Sequence, residues 1–278
     1  MNRIKQLPNG YVATVSYDKT CKIWNVTSKS QNWCLIQNYT NHTENVVGLE
    51  YLNEDTMTTG SLDKTIKIWS ISTGLTTRSI NTNVGVDSLL LLTNDSYLAA
   101  GLSNGKINIY HISTCILIYT LKGHTAAIRD LLLIGNDLLA SSSSDNTSRI
   151  WNLTTNLIKF TLIGHQDNVY SLKLVSMEIL ATSSWDTTIK LWNIANGSIL
   201  RTLSNHTDSI AYSIDLLSNG SRMLVSGSHD QTLKLWNLNT GELLRMNKTG
   251  MRIKSLASIL NTSKLILKFS ILLTLINK

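Results

Sequence analysis

Proline occurs once in this chain of 278 residues and phenylalanine twice, and the last 34 positions hold no acidic residue at all. A single proline and a charged fraction of 15% exclude the composition of a disordered protein. No apolar run is long enough to span a bilayer. The best, Leu265 to Ile276, is interrupted by Lys268 and falls well short of about 20 residues. The first ten residues, MNRIKQLPNG, contain no apolar stretch and so no secretory signal, which points to an intracellular protein, cytoplasmic or nuclear. Three cysteines, Cys21, Cys34 and Cys115, are odd in number and follow no spacing. They read as reduced thiols, not as a disulfide framework or a metal site. The chain also lacks a phosphate loop, since GLSNGK (Gly101 to Lys106) has the wrong spacing, and it lacks a Gly-x-Ser-x-Gly elbow, a His-x-x-x-His pair and a Cys-x-x-Cys. We therefore expect no enzyme activity, no cofactor and no metal.

What is present is Ser, Thr, Asn and β-branched residues, the material of short strands and tight turns. They are arranged periodically. Trp24, Trp69, Trp151, Trp192 and Trp236, with Tyr110 in the vacant slot, are separated by 45, 41, 41, 41 and 44 residues. Asp18, Asp63, Asp145, Asp186 and Asp230 each lie six residues before their tryptophan. His42, His124 and His165 lie 27 before theirs, and His206 lies 30 before. The best-formed copy runs from Gly164 to Asn193, with strand-length runs at Val169 to Val175, Ile179 to Ser184 and Thr188 to Trp192.

This register resembles the WD-repeat family, whose repeat of roughly 40 to 45 residues makes one four-stranded propeller blade with Gly-His and Trp-Asp marks. The likeness covers nearly the whole chain, with Trp-Asn or Trp-Ser in place of the final Trp-Asp. It implies an all-β propeller, a single domain over residues 1–278 with repeats ending near 24, 69, 110, 151, 192 and 236. A degenerate, incomplete blade at 245–278 would bring the ring to seven. Three strands are expected there, at Arg252 to Ile259, Lys264 to Ser270 and Leu272 to Asn277. The fourth is expected to be missing, because Met1 lies close to the first inner strand. The third repeat departs most: it has no His, and Asn104 and Tyr110 fill the Asp and Trp slots. Its Asn104-Gly105 pair still predicts a tight hairpin.

The resemblance also implies a polar network in which the His bonds the turn Asp, and a strand hydroxyl links the His to the indole. The sets are His42/Asp63/Trp69, His124/Asp145/Trp151, His165/Asp186/Trp192 and His206/Asp230/Trp236. Candidate hydroxyls are Thr59 or Ser61, Ser141 or Ser143, Thr182 or Ser184, and Ser226 or Ser228. A His/Ser/Asp grouping invites comparison with a catalytic triad, but repeated copies, each with an indole to bond, read as architecture.

Function is expected on the family's partner-binding face, where the residue before each turn Asp points: Tyr17, Leu62, Ser103, Ser144, Trp185 and His229. Positions at the start of inner strands add Asn45, Val47, Asp87, Arg129, Asn168 and Tyr170. Tyr, Trp and Arg are the types that dominate binding hot spots, which singles out Tyr170, Trp185 and Arg129. The expected role is a non-catalytic scaffold or adaptor for proteins or peptides, part of a multiprotein complex, with no membrane partner. The alternative uses charge. Residues up to Leu244 hold 18 basic and 18 acidic side chains, so the whole net charge of +7 lies in the tail, from Arg245 to Lys278. An RNA- or ribosome-associated propeller would use that basic segment, although a nucleic-acid binder is expected to carry its basic stripe on the folded body.

Overall fold

The computed structural model of the chain describes residues 3–7, 10–25, 34–92, 96–135, 137–210, 214–217, 222–258, 264–269 and 273–277, and the regular elements among them are all β-strands. They fall into two compact units, Met1–Ile128 and Arg129–Lys278.

In the first unit one sheet is formed by β1 (Arg3–Gln6), β2 (Tyr11–Val15), β3 (Cys21–Asn25) and β4 (Cys34–Tyr39). The next has β5 (Val46–Asn53), β6 (Thr56–Ser61), β7 (Thr65–Ser70) and β8 (Thr76–Asn81). The third has β9 (Val86–Leu91), β10 (Tyr97–Leu102), β11 (Ile107–His111) and β12 (Ile116–Leu121). The second unit begins within β13 (Ile128–Ile134), which joins β14 (Leu138–Ser143), β15 (Thr147–Asn152) and β16 (Leu157–Ile163). Then come β17 (Val169–Ser176), β18 (Ile179–Ser184), β19 (Thr188–Asn193) and β20 (Ile199–Ser204). The sixth sheet is β21 (Ile214–Leu216), β22 (Met223–Gly227), β23 (Thr232–Asn237) and β24 (Leu243–Lys248).

The remainder differs. β25 (Ile253–Ser258), β26 (Lys264–Phe269) and β27 (Leu273–Asn277) form a sheet of three strands. Seven blades were expected, the last of them incomplete, and among the described residues six complete ones are formed. The physical reason lies in the segment itself, whose three apolar runs make three strands and which carries none of the Asp, Gly-His or Trp marks. The expected strand ends at Ile259, Ser270 and Leu272 lie outside the described residues.

In all six complete sheets the strand bearing the tryptophan, or Tyr110, is third, and a register shift with the fourth strand falls beside that aromatic. Such a bulge admits the bulky ring and tightens the local twist. The fourth strand follows the aromatic, so each sheet extends past the tryptophan that marks the repeat. Trp69, Trp151, Trp192 and Trp236 are all fully buried. Packing is between successive sheets: Val15, Cys21 and Ile23 meet Val46, Leu49 and Met57, and Ala181 and Ile189 meet Ile214, Leu224 and Trp236. A single sheet could not bury its apolar faces, and stacking neighbours does.

Two features set how closely neighbours approach. Gly60, Gly101 and Gly227 sit at one register, and a Cβ on them would meet Val86, Ile128 and Ile253, the residues that begin the next inner strand. At the outer edge, Arg78 Nη1 donates to the carbonyls of Ile112 and Ser113, both at 2.9 Å. Arg201 likewise donates to Thr240 at 2.6 Å and Asn239 at 2.7 Å. These arginines fasten one sheet's fourth strand to the next sheet's hairpin, and the sequence pattern had not singled them out.

Candidate functional site

Each turn aspartate is held by its own hairpin. Asp63 Oδ1 accepts from Thr65 N at 2.9 Å and Thr65 Oγ1 at 2.6 Å, an Asx turn that places the following residue, Lys64, at φ 69. Asp63 Oδ2 faces the other way and accepts from Thr43 N at 3.1 Å and from His42 Nδ1 at 2.7 Å. The rest of the relay follows from donor arithmetic. Trp69 Nε1 can only donate, and it reaches Thr59 Oγ1 at 2.7 Å; the Thr59 hydroxyl is then the donor to His42 Nε2 at 2.8 Å. Neutral His42 with its proton on Nδ1 completes the chain. The same relay runs through Trp192, Thr182, His165 and Asp186, and through Trp236, Ser226, His206 and Asp230.

The second candidate hydroxyl of each pair has a separate job. Ser61, Ser184 and Ser228 accept from the turn Asp N–H at 3.0 Å and donate to the carbonyls of Glu44, Asp167 and Asp208 in the loop before the inner strand. In the fourth sheet Trp151 donates to Ser141 at 2.8 Å, Ser143 caps Asp145 N at 3.1 Å, and His124 is buried. In the first sheet Trp24 donates to Thr14 at 2.9 Å. In the third, Asn108 donates to Tyr110 Oη at 2.9 Å and accepts from Thr120 at 2.8 Å. Asn108 was not foreseen. Its only signal in the sequence is a lone amide two residues before the tyrosine that stands in the Trp slot.

In the third, fourth and fifth sheets the side chain before the turn Asn or Asp pairs with one at the start of its own inner strand. Ser103 donates to Asp87, Arg129 Nε donates to Ser144 at 2.6 Å, and Trp185 stacks on Tyr170 with ring centroids 4.8 Å apart and 15° between planes. The Arg129 guanidinium carbon lies 5.2 Å from the Tyr170 centroid, a cation–π contact. Three neighbouring side chains thus form one layered cluster. Trp185 is 39% exposed and Tyr170 only 7%, so the tyrosine supports the plate and does not offer a face of its own. His229 is half-buried, with Nδ1 2.9 Å from Ser209 Oγ. Tyr17 is 55% exposed, Leu62 is half-buried, and Val47 is buried.

These repeats match known proteins. The WD domain, G-beta repeat matches residues 4–25, 33–70, 115–152, 157–193 and 197–237, well over half of the chain. The chain belongs to the WD40 repeat family. Among solved structures, the crystal structure of the WD40 beta propeller domain of Doa1 is similar, with 23% identity, a TM-score of 0.79, and coverage of 95% of this chain and 87% of that one. At that identity the likeness is one of fold, a WD40 β-propeller. No curated protein matches the chain.

WD40 propellers are generally non-enzymatic and generally act as protein-interaction scaffolds. The family match passes over residues 71–114, the third repeat, which nevertheless forms a complete sheet. Among the described residues no three His, Cys, Asp or Glu side chains gather as metal ligands, and no helix is long and apolar enough to cross a membrane.

The relay has a pH signature. Burial pushes His42 and His206 below the ordinary value of 6.5, against the pull of Asp63 and Asp230. Burial raises the Asp230 carboxyl, but the bonds from Thr232 and His206, the His206 charge and the Thr207 N–H together hold it down to about 2. Asp63 is lowered for the same reasons. A histidine with a depressed folded value stabilises the fold fully above the unfolded value and loses that contribution as pH falls through and below it. A depressed Asp contributes above its unfolded value near 3.8 and loses it as pH falls toward about 2. We expect urea midpoints to fall in two stages on acidification, one beginning near pH 6.5 and one below pH 3.8. A urea midpoint that stays flat from neutral pH down to about pH 4.5 would contradict it.

Proposed function

We propose that the chain is a non-catalytic, intracellular protein-interaction scaffold, a single propeller domain over residues 1–278 in which the three-stranded sheet is the seventh, incomplete blade. Its ligand is a protein or peptide that docks on Trp185, with Arg129, Tyr170 and His229 as neighbours. In the first unit Tyr17 and Leu62 hold the same turn position and are proposed as contacts there. The observation that carries this reading is the exposed indole of Trp185 braced by the buried ring of Tyr170. A large aromatic already fixed in place loses little entropy on binding, which is how hot-spot residues work.

Affinity purification on the full chain tests it. Trp185→Ala is expected to cut recovery of specific partners by about tenfold or more while the melting temperature stays nearly unchanged, because the side chain is exposed. Tyr170→Ala should lose partners too, with a drop in stability from the cavity it leaves. Recovery of the same partners by Trp185→Ala at wild-type levels would remove this surface as the site.

A further inference from the structure

One register of the fourth strands grips the sheet that follows. Gln37, Arg78, Phe160, Arg201 and Arg245 each stand opposite the residue just before their sheet's tryptophan. The first four of these meet the hairpin that joins the next sheet's third and fourth strands. Arg78 and Arg201 donate to carbonyls there, Ile112 and Ser113 just past β11 and Asn239 and Thr240 just past β23. A Cβ on Gly74 would lie 2.7 Å from Gln37 Nε2, and one on Gly197 would lie 3.2 Å from Phe160 Cδ1.

Arg245, on β24, differs. It is exposed, and among the described residues it makes no hydrogen bond or ion pair. The three-stranded sheet nevertheless stacks on the sixth sheet as the others stack on one another. Ile253 packs with Val225 and Leu233, would meet a Cβ on Gly227, and donates from its N–H to Ser228 O at 3.1 Å. What is missing is the hairpin. β27 is the third strand and pairs with β26 alone, so among the described residues no fourth strand covers its outer edge. Its sequence, LTLIN, holds no charge and no proline, and its pairing with β26 has no bulge. These are the devices that keep a strand edge from taking up another chain.

We propose that β27 accepts a fourth, antiparallel strand from a partner protein, and that Arg245 binds the carbonyls of the segment entering that strand. The occupant is an extended segment recognised mainly through its backbone. One side chain is specified as well. In five of the six complete sheets the fourth strand buries an apolar residue at one register: Tyr39, Ile80, Leu121, Leu162 and Leu203. The pairing of Ile253 with Phe269 and of Lys264 with Asn277 repeats that of Val169 with Ser184 and of Ile179 with Asn193. Leu273 thereby holds the register of Ile189, which faces Leu203. The residue set against Leu273 must be apolar. A second copy's β27, paired along its whole length, would put Asn277 there, which favours a different chain. This surface is independent of the docking proposed at Trp185.

A random dodecapeptide phage library, selected on the full chain and counter-selected on the Arg245→Ala variant, tests the proposal. The expected sequences share an aliphatic residue toward their C-terminal end and little else. A synthetic peptide of the consensus should slow amide exchange along β27 and bind the Arg245→Ala variant about tenfold more weakly. That variant should melt as the parent does, because the side chain is exposed. Methylating alternate backbone nitrogens of the peptide should abolish binding in one phase and spare it in the other, since only every second residue of an added strand bonds its neighbour. A library without Arg245-dependent sequences would overturn the proposal. So would a peptide that leaves β27 exchange unchanged or is indifferent to the phase of methylation. Protection of β27 that rises with protein concentration alone, together with dimers in sedimentation, would make a second copy the occupant and overturn the partner strand.

Discussion

Replacing Asp186 by alanine is expected to lower the free energy of unfolding by about 3 kcal/mol, whereas the same change at Asp18 should cost less than about 1 kcal/mol. Both residues make the same Asx turn, with Thr188 and Thr20 respectively. They differ in what else depends on them. Asp186 also accepts from His165 Nδ1 at 2.6 Å and Gln166 N at 3.0 Å, and its side chain is only 8% exposed. Removing it strands the N–H of the buried His165 imidazole, and it also takes the acceptor from the Gln166 N–H. Asp18 is more than half exposed, and solvent takes over its bonds. Urea unfolding of the two variants, read by tryptophan fluorescence, measures the difference. Equal losses would mean that the relay contributes nothing beyond its turn.

The second large effect is expected at Gly101, where valine should cost about 3 kcal/mol or more. A Cβ there would lie 2.2 Å from Ser88 Oγ and 2.5 Å from Ile128 Cγ2. Neither can retreat, since both residues are fully buried and the Ser88 hydroxyl is tied to the Ile128 carbonyl at 3.1 Å. In the fourth sheet Ser142 fills the same register, opposite Ser148, and its hydroxyl is buried with no hydrogen-bond partner. Ser142→Ala is therefore expected to be neutral or stabilising by up to about 1 kcal/mol. Thermal and urea unfolding of both variants checks the pair. A well-tolerated Gly101→Val would show that the sheets can slide apart without penalty.

These two tests separate what can be read along a chain from what cannot. Repeats were legible because each copy must solve one problem, a Trp under a His-capped hairpin, with the same residues at the same spacing. The third repeat shows how far that reasoning extends. Asn104, Tyr110 and the missing His predict a loss of the relay, and the sheet forms all the same. Its strands depend on alternating apolar residues and on Gly105 at φ 81, neither of which the polar marks control.

Thr59 and Ser61 could not be told apart in the sequence. A spacing of two puts both on the same face of one strand, and only the position of the Trp69 indole across the sheet assigns Thr59 to the relay and Ser61 to the loop. The Arg78 and Arg201 clamps were hidden for a similar reason, because their partners are backbone carbonyls and leave no pattern of side chains.

By itself, then, the sequence determined the repeat, the strand order and the turn residues, since these arise from local spacing and hairpin chemistry. Tertiary structure decided that Tyr170 lies buried beneath an exposed Trp185, and that Arg252 and Lys254 arrive beside His229. Burial and proximity between residues tens of positions apart depend on how one sheet is stacked on the next, and no periodicity within a single repeat records that.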